Sequence, residues 1–323
     1  MATLGIDLGG TNARAAVVDA DGRILAAARA ALQDRTPEAV TTTIAQAVRD
    51  ALALAKVEVR GCGIGVAGQL LGDTGVVAVA PNLGWRNVPF GQMLASALGH
   101  PVRVVNDLTA AAWGELIAGA GRGAQDVYVV YVGSGVGSAI ICRGEIVRGG
   151  SGVAGELGHI KVEPGGRRCG CGEQGCLEAY AGGRNLILQM REALESGQKT
   201  SLQELSGGDP ARLNPAILER AALAGDMVAR RIYDRATEYL ALAVANQVTV
   251  LNPSRLILGG GVLNNAPAMR DRVRDGVARF SSRTSAAAVR VVQSELGDDS
   301  GIIGAALLAT RGLPVPGPEA TTP

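Results

Sequence analysis

The chain has 323 residues, 47% of them hydrophobic, well above the size at which a hydrophobic core becomes hard to build, and two domains are expected. Lysine plus arginine (31) balances aspartate plus glutamate (30) for a formal net charge of +1, so no long-range field draws the chain to nucleic acid or to an anionic membrane. Aromatic residues make up 3% while glycine reaches 46, with no triplet period, which is an α/β composition and excludes a collagen-like fibre.

An apolar strand, Leu4 to Ile6, runs into Asp7-Leu8-Gly9-Gly10-Thr11, and a second, Ala15 to Val18, ends in the turn Asp19-Ala20-Asp21-Gly22 before a third from Ile24. This is an antiparallel hairpin start. Thr36-Pro37-Glu38 predicts a helix start with Thr36 as N-cap, leading a helix to about Lys56. Strand Gly63 to Val66, helix Phe90 to Leu98, strand Val102 to Val105 and helix Leu108 to Ala118 follow. A second cycle then begins: strand Tyr128 to Val132, the turn Gly133-Ser134-Gly135-Val136-Gly137, strand Ser138 to Cys142, and Ile146-Val147. Strand, glycine turn, strand, strand thus occurs twice, which predicts a duplicated α/β unit with a parallel or mixed sheet. Helical stretches are expected over Leu177 to Glu195 and Pro215 to Val250, then strand Leu256 to Leu258, helix Pro267 to Phe280, strand Val289 to Val292 and helix Gly301 to Thr310. The tail Pro314 to Pro323 has no apolar periodicity and reads as disordered. No secretory signal precedes Thr3, and no uncharged apolar stretch is long enough to span a bilayer, so a cytoplasmic protein is expected.

Three glycine turns each follow an apolar strand: Gly9-Gly10-Thr11, Gly133-Ser134-Gly135 and Gly259-Gly260-Gly261. Such turns let backbone N–H groups approach a phosphate. One alone is an ordinary tight turn; three together point to a nucleotide, without a Walker or Rossmann motif. Asp7 either holds a water on Mg2+ or caps the turn. Asp107, at the end of a strand, either takes a proton from a substrate hydroxyl or caps the helix it opens. Asn82, in Pro81-Asn82-Leu83-Gly84-Trp85, reads by itself as turn-forming. The most specific local signal is Glu156-Leu157-Gly158-His159 followed by Cys169, Cys171 and Cys176. Three thiolates and an imidazole satisfy tetrahedral zinc with no open position, which predicts a structural metal that orders a polar loop and fixes Glu156 and His159 relative to Glu178.

These motifs together resemble the ROK sugar kinases (repressors, open reading frames, kinases), and among them the bacterial glucokinases. The resemblance runs through DLGGTNAR at 7–14, APNLGW at 80–85, VVNDLTAAAWGE at 104–115, GSGVG at 133–137, GELGH at 155–159, CGCGEQGCLEA at 169–179 and LGGGV at 258–262. It implies an actin-like, ribonuclease H-like fold with an interlobe active-site cleft: a smaller N-terminal domain over 1–108, completed by a C-terminal helix at about 301–311, and a larger domain over 109–300 with the zinc loop, followed by a tail at 312–323. It implies ATP phosphates on Gly9, Gly10, Thr11, Asn12, Gly133, Ser134 and Gly135, adenosine near Gly259 and Gly260, and Mg2+ travelling with ATP. It places a hexose on Asn82, Asn106, Asp107, Glu156, His159 and Glu178, with Asp107 as the base that activates the 6-hydroxyl of glucose, and it makes a homodimer the expected assembly. Ser134 stands where the family often has Thr, which keeps the hydroxyl, and Val66-Ala67-Gly68-Gln69-Leu70 lacks the proline common there. The competing readings are an N-acetylhexosamine, mannose or fructose kinase, a sugar-responsive repressor, disfavoured because the first phosphate turn begins at Asp7 with no helix-turn-helix before it, and a glycoside hydrolase using Asp107 and Glu156, which leaves the three turns unexplained.

Overall fold

The structure, a computed structural model, describes residues 2–310, so the tail expected to be disordered at 312–323 lies outside the described residues. By its internal contacts the chain divides into two units. The first takes in the chain up to Gly123, Ile146–Ala154 and the segment from Glu295 on; the second takes in Ala124–Glu145 and Gly155–Ser294.

In the first unit β1 (Ala2–Leu8) pairs antiparallel with β2 (Asn12–Val18), which pairs antiparallel with β3 (Ile24–Ala31). On its other side β1 pairs parallel with β4 (Val59–Val66). A small antiparallel sheet of β5 (Gln69–Leu70), β6 (Val77–Ala80) and β7 (Trp85–Val88) intervenes before β8 (Val102–Asn106) pairs parallel with β4. The main sheet order is therefore β3-β2-β1-β4-β8. Side chains alternate along β1, so Leu4, Ile6 and Leu8 meet Val40, Ile44 and Val48 of helix Pro37–Ala55, while Gly5 turns to the opposite face. Helix Ser300–Thr310 lies on that opposite face so closely that a Cβ on Gly63 would run into Ala305 O, and one on Gly304 into Ala110 O of helix Asp107–Ala118. The expected boundary at residue 108 falls at the start of this helix, whereas contacts carry the first unit on to Gly123, because the helix packs against Ser300–Thr310.

The second unit repeats the plan. β9 (Val127–Val132) and β10 (Val136–Cys142) form a hairpin continued by β11 (Glu145–Ile146), while β12 (Arg255–Gly259) pairs parallel with both β9 and β13 (Arg290–Gln293). The order β11-β10-β9-β12-β13 matches that of the first unit strand for strand, the duplicated α/β unit that the two hairpin cycles in the sequence implied. Its core joins Val130, Val132 and Leu258 to Leu240, Val244 and Val248 of helix Met227–Leu251. No helix among the described residues is long and apolar enough to cross a membrane.

Three sequence expectations need correction. The stretch Leu177 to Glu195 is two helices, Glu178–Ala181 and Gly183–Glu195, parted by an extended Gly182. Pro215 to Val250 also breaks, where Asp226 accepts hydrogen bonds from the Val228 and Ala229 N–H groups and starts a new helix. Thr36 occupies the N-cap position but its side chain does not cap; its hydroxyl donates to Asp34, whose carboxylate also gathers the Thr36 N–H.

Candidate active site

Backbone register sets the first group of site residues. Leu8, Val66 and Asn106 are aligned across β1, β4 and β8, so the Gly9-Gly10-Thr11 turn and the Asn106-Asp107 pair stand at the same C-terminal end of the parallel strands, where α/β sheets bind ligands. The turn is closed by the Gly9 N–H donating to Asn12 O at 3.0 Å, and Asn12 Nδ2 donates to Thr11 Oγ1 at 2.8 Å. Asn82, in the β6–β7 turn, comes within van der Waals reach of Gly10, its Cβ 3.6 Å from where a Gly10 Cβ would sit.

Asn106, not Asp107, caps the helix. Its Oδ1 accepts from Leu108 N–H at 3.0 Å and Thr109 N–H at 3.1 Å, and its Nδ2 donates to Gly68 O at 3.1 Å. The reading of Asp107 as the N-cap is thereby overturned: Asp107 is the first helical residue, half-buried, with Oδ1 accepting from Leu108 N–H at 3.0 Å. Nor does Asp7 hold the turn. It lies within β1 opposite Arg14, and burial, opposed by Arg14 and assisted by Asp298 and Asp299, raises its carboxyl above the usual range. Arg14 in turn reaches Asp298 O at 2.9 Å and pairs with the Asp299 carboxylate.

The second unit assembles its group in the same way. Gly133 N–H donates to Gly135 O at 3.0 Å, and the extended Gly182 lets the following amides close on the turn, Gly183 N–H to Gly133 O at 2.9 Å and Arg184 N–H to Ser134 O at 3.0 Å. Glu178 lies directly beneath: its Oε2 accepts from Val136 N–H at 2.9 Å, and a Cβ on Gly135 would land on its carboxylate. The third turn joins them because Gly260, at φ 89°, passes against the Val132 backbone, a conformation open to glycine. The short 3-10 helix Leu157–His159 packs on β10 at Val136.

His159, Cys169, Cys171 and Cys176 bring one ligand atom each to within 4.8 Å of one another. Cys171 Sγ is 3.8 Å from Cys176 Sγ, and Cys169 Sγ is 3.8 Å from His159 Nδ1; a zinc tetrahedron with 2.3 Å Zn–S bonds has edges of about 3.8 Å. The donor set and its spacing therefore fit zinc, and four protein ligands leave no open position, as in structural sites. Burial pushes the Cys169 thiol up to about 12, so its thiolate form would need a bound cation to stabilise it. With Nδ1 toward the cluster, the Nε2 of His159 faces Glu156 Oε2 at 3.7 Å. The rest of the loop is pinned by groups the sequence reading passed over. Arg167 N–H donates to Tyr180 Oη at 2.7 Å, Tyr239 Oη donates to Glu163 at 2.8 Å, and Arg235 pairs with Glu163 while lying over the Tyr180 ring.

The site residues thus fall into two sets, Asp7, Gly9, Gly10, Thr11, Asn12, Asn82, Asn106 and Asp107 in the first unit and Gly133, Ser134, Gly135, Glu156, His159, Cys169, Cys171, Cys176, Glu178, Gly259 and Gly260 in the second. The chain is 35% identical over 316 residues to the glucokinase of Streptomyces coelicolor, covering 97% of this chain and 99% of that protein. Against the glucokinase of Thermotoga maritima it is 34% identical over 305 residues, 94% of this chain and 95% of that one. The crystal structure of a ROK family glucokinase from Streptomyces griseus in complex with glucose and AMPPNP superposes with a TM-score of 0.80 at 36% identity, covering 97% of this chain and all of that one. Since the family model also matches residues 3–312 without interruption, the chain belongs to the ROK family.

Proposed function

We propose that this protein is an ATP-dependent glucokinase that transfers the γ-phosphoryl group of ATP to the 6-hydroxyl of glucose, giving glucose 6-phosphate and ADP. The observation that carries the reading is the register of Leu8, Val66 and Asn106: it sets a phosphate-type turn and an acidic side chain at one sheet end, with the cap duty taken by Asn106 so that Asp107 is not needed for it. The similarity to glucokinases over nearly the whole length supports the sugar and the nucleotide.

In this reading Asp107 accepts the proton of the 6-hydroxyl as that oxygen attacks the γ-phosphorus and the bond to ADP breaks. Phosphoryl transfer has a loose transition state, so the chain's main work is to align the acceptor and to neutralise phosphate charge. The turns Gly9–Asn12 and Gly133–Gly135, closed by the Gly9 and Gly133 N–H groups, present the backbone amides of Gly10, Thr11, Asn12, Ser134 and Gly135 to the phosphates, and Gly259 and Gly260 leave room for adenosine. Mg2+, arriving with ATP, supplies charge neutralisation, and Asp7 is the carboxylate that would hold it through water. Asn82, Asn106, Glu156, His159 and Glu178 read the other sugar hydroxyls, which lose their partners in water and must find them in the protein. Zinc held by His159, Cys169, Cys171 and Cys176 would supply structural order to the loop bearing Glu156. The same resemblance makes a cytoplasmic homodimer part of the proposal.

The test is a coupled assay with glucose, mannose and N-acetylglucosamine, with and without ATP, alongside calorimetry of glucose binding. Asp107→Asn is expected to keep glucose affinity while kcat falls by a factor on the order of 10² to 10⁴. A near-normal kcat removes Asp107 as base, and a wild-type protein that phosphorylates only the N-acetylated sugar, or none, replaces the glucokinase reading.

A further inference from the structure

We propose that Lys161 is the counter-charge of the cysteine–histidine metal site, its ammonium group hydrogen-bonded to the Cys176 sulfur so that it governs how firmly the metal is retained. The inference rests on the zinc reading of the cluster and deepens it.

Three thiolates and a neutral imidazole around a divalent zinc ion carry a net charge of about −1. Excess charge inside a packed loop is costly unless a group of opposite sign meets it. Of the three sulfurs, Cys171 is exposed to water, Cys169 is buried at 5% exposure beside His159, and Cys176 is shut off from solvent at 0%. The nearest carboxylate oxygens add no relief, since Glu178 Oε1 stands 3.9 Å from the Cys169 sulfur and Glu156 faces the far side of His159.

Lys161 is placed to answer this charge by the backbone itself. It forms an isolated antiparallel bridge with Cys176, and directly opposed residues in an antiparallel pair project to the same side. Its Nζ donates to Cys176 Sγ at 3.1 Å, closer than the 3.8 Å to its other partner, Glu173 Oε2. The Lys161 side chain is 41% exposed and that of Glu173 73%, so the carboxylate is largely hydrated and leaves the ammonium to the sulfur. An ammonium hydrogen-bonded to the sulfur offsets the excess negative charge of the site and disfavours protonation of the thiolate, so the sulfur stays available to the metal, and partners outside the ligand set commonly tune metal affinity in this way. Lys161 is a positioning and charge-balancing residue; it touches no substrate group.

The experiment uses the full-length protein loaded with one equivalent of zinc, titrated against a chromogenic chelator, for wild type, Lys161→Gln, Lys161→Arg and Glu173→Gln. Lys161→Gln is expected to bind zinc about tenfold more weakly, the lower end of outer-shell effects, with Lys161→Arg near wild type because it keeps the charge. Glu173→Gln is expected to leave zinc affinity unchanged. In the cobalt-substituted proteins, Lys161→Gln is expected to shift the sulfur-to-cobalt charge-transfer band, which a packing role would not move. The proposal is overturned if Lys161→Gln holds zinc within about twofold of wild type, if Lys161→Arg is as weak as Lys161→Gln, or if Glu173→Gln reproduces the loss. A wild-type protein that binds no zinc is a different outcome, and it removes the metal reading together with the role of Lys161.

Discussion

Glu115 is a fully buried carboxylate near the end of the helix that begins with Asp107, and replacing it with Gln is the sharpest test of how that helix is held. Its Oε2 accepts from Ala120 N–H at 2.8 Å and Glu295 N–H at 3.2 Å, and its Oε1 from Leu296 N–H at 3.0 Å. The carboxylate therefore ties the helix to the loop that follows it and to a segment 180 residues further along. Gln has the same shape, so packing is preserved, but one oxygen becomes a donor set against a backbone N–H. One charge-assisted bond, worth about 1.5–3 kcal/mol, is lost and the other two weaken to neutral strength, about 1 kcal/mol less each. The lower cost of burying a neutral amide offsets part of this, leaving a net loss of about 3 kcal/mol. Both tryptophans, Trp85 and Trp113, lie in the first unit, so urea unfolding followed by tryptophan fluorescence reads that unit selectively. A Glu115→Gln protein within about 0.5 kcal/mol of wild type, the range of an ordinary surface change, would refute the reasoning.

Two further outcomes are expected. Asp226 gathers hydrogen bonds from the Val228 and Ala229 N–H groups and from the Thr200 and Ser201 hydroxyls, and although burial opposes ionisation, these bonds hold its carboxyl down to about 2 from 3.8. A depressed folded value means the carboxylate's contribution is complete above the ordinary value and disappears as pH falls from about 4 to 2, a loss of about 1 kcal/mol once partial exposure is allowed for; circular dichroism of urea unfolding at pH 5 and pH 3 should show Asp226→Asn less acid-sensitive than wild type by about half that amount, because the folded carboxyl is still ionised at pH 3, and equal slopes would remove Asp226 as the source. Gly304→Ala drives a methyl group into the Ala110 carbonyl, a backbone atom that cannot swing aside, so a loss at the upper end of overpacking costs, about 3 kcal/mol, is expected; thermal unfolding indistinguishable from wild type would mean that the two helices slide apart without penalty.

Elements announced by local chemistry were legible in the sequence. Pro37 opens a helix where its missing N–H costs nothing, the Asp19-to-Gly22 turn joins β2 to β3, and the repeated strand, turn, strand pattern foretold two sheets of the same order. That His159, Cys169, Cys171 and Cys176 gather in one cluster was legible too, because short cysteine spacing has few other meanings. What escaped has one cause: the partners are distant in sequence or the segment is too short for a period. β5 is two residues long, so the small sheet shows no alternation. The apolar period runs on through Gly182 and Asp226, hiding both helix breaks. Glu115 reads as a solvent-facing helical glutamate, and nothing near it tells of Leu296. Asp107 reads as a cap as readily as Asn106 does, and only the hydrogen bonds distinguish them.

The helix Ser300–Thr310 has a consequence for biosynthesis. The second unit has all its strands and helices once the ribosome has made Ser294, but the first cannot cover one face of its sheet until the helix that packs on β1 and β4 has been translated. The half that begins the polypeptide is thus the half that matures last, and its bare alanine- and glycine-lined surface is what a nascent-chain chaperone would meet throughout elongation.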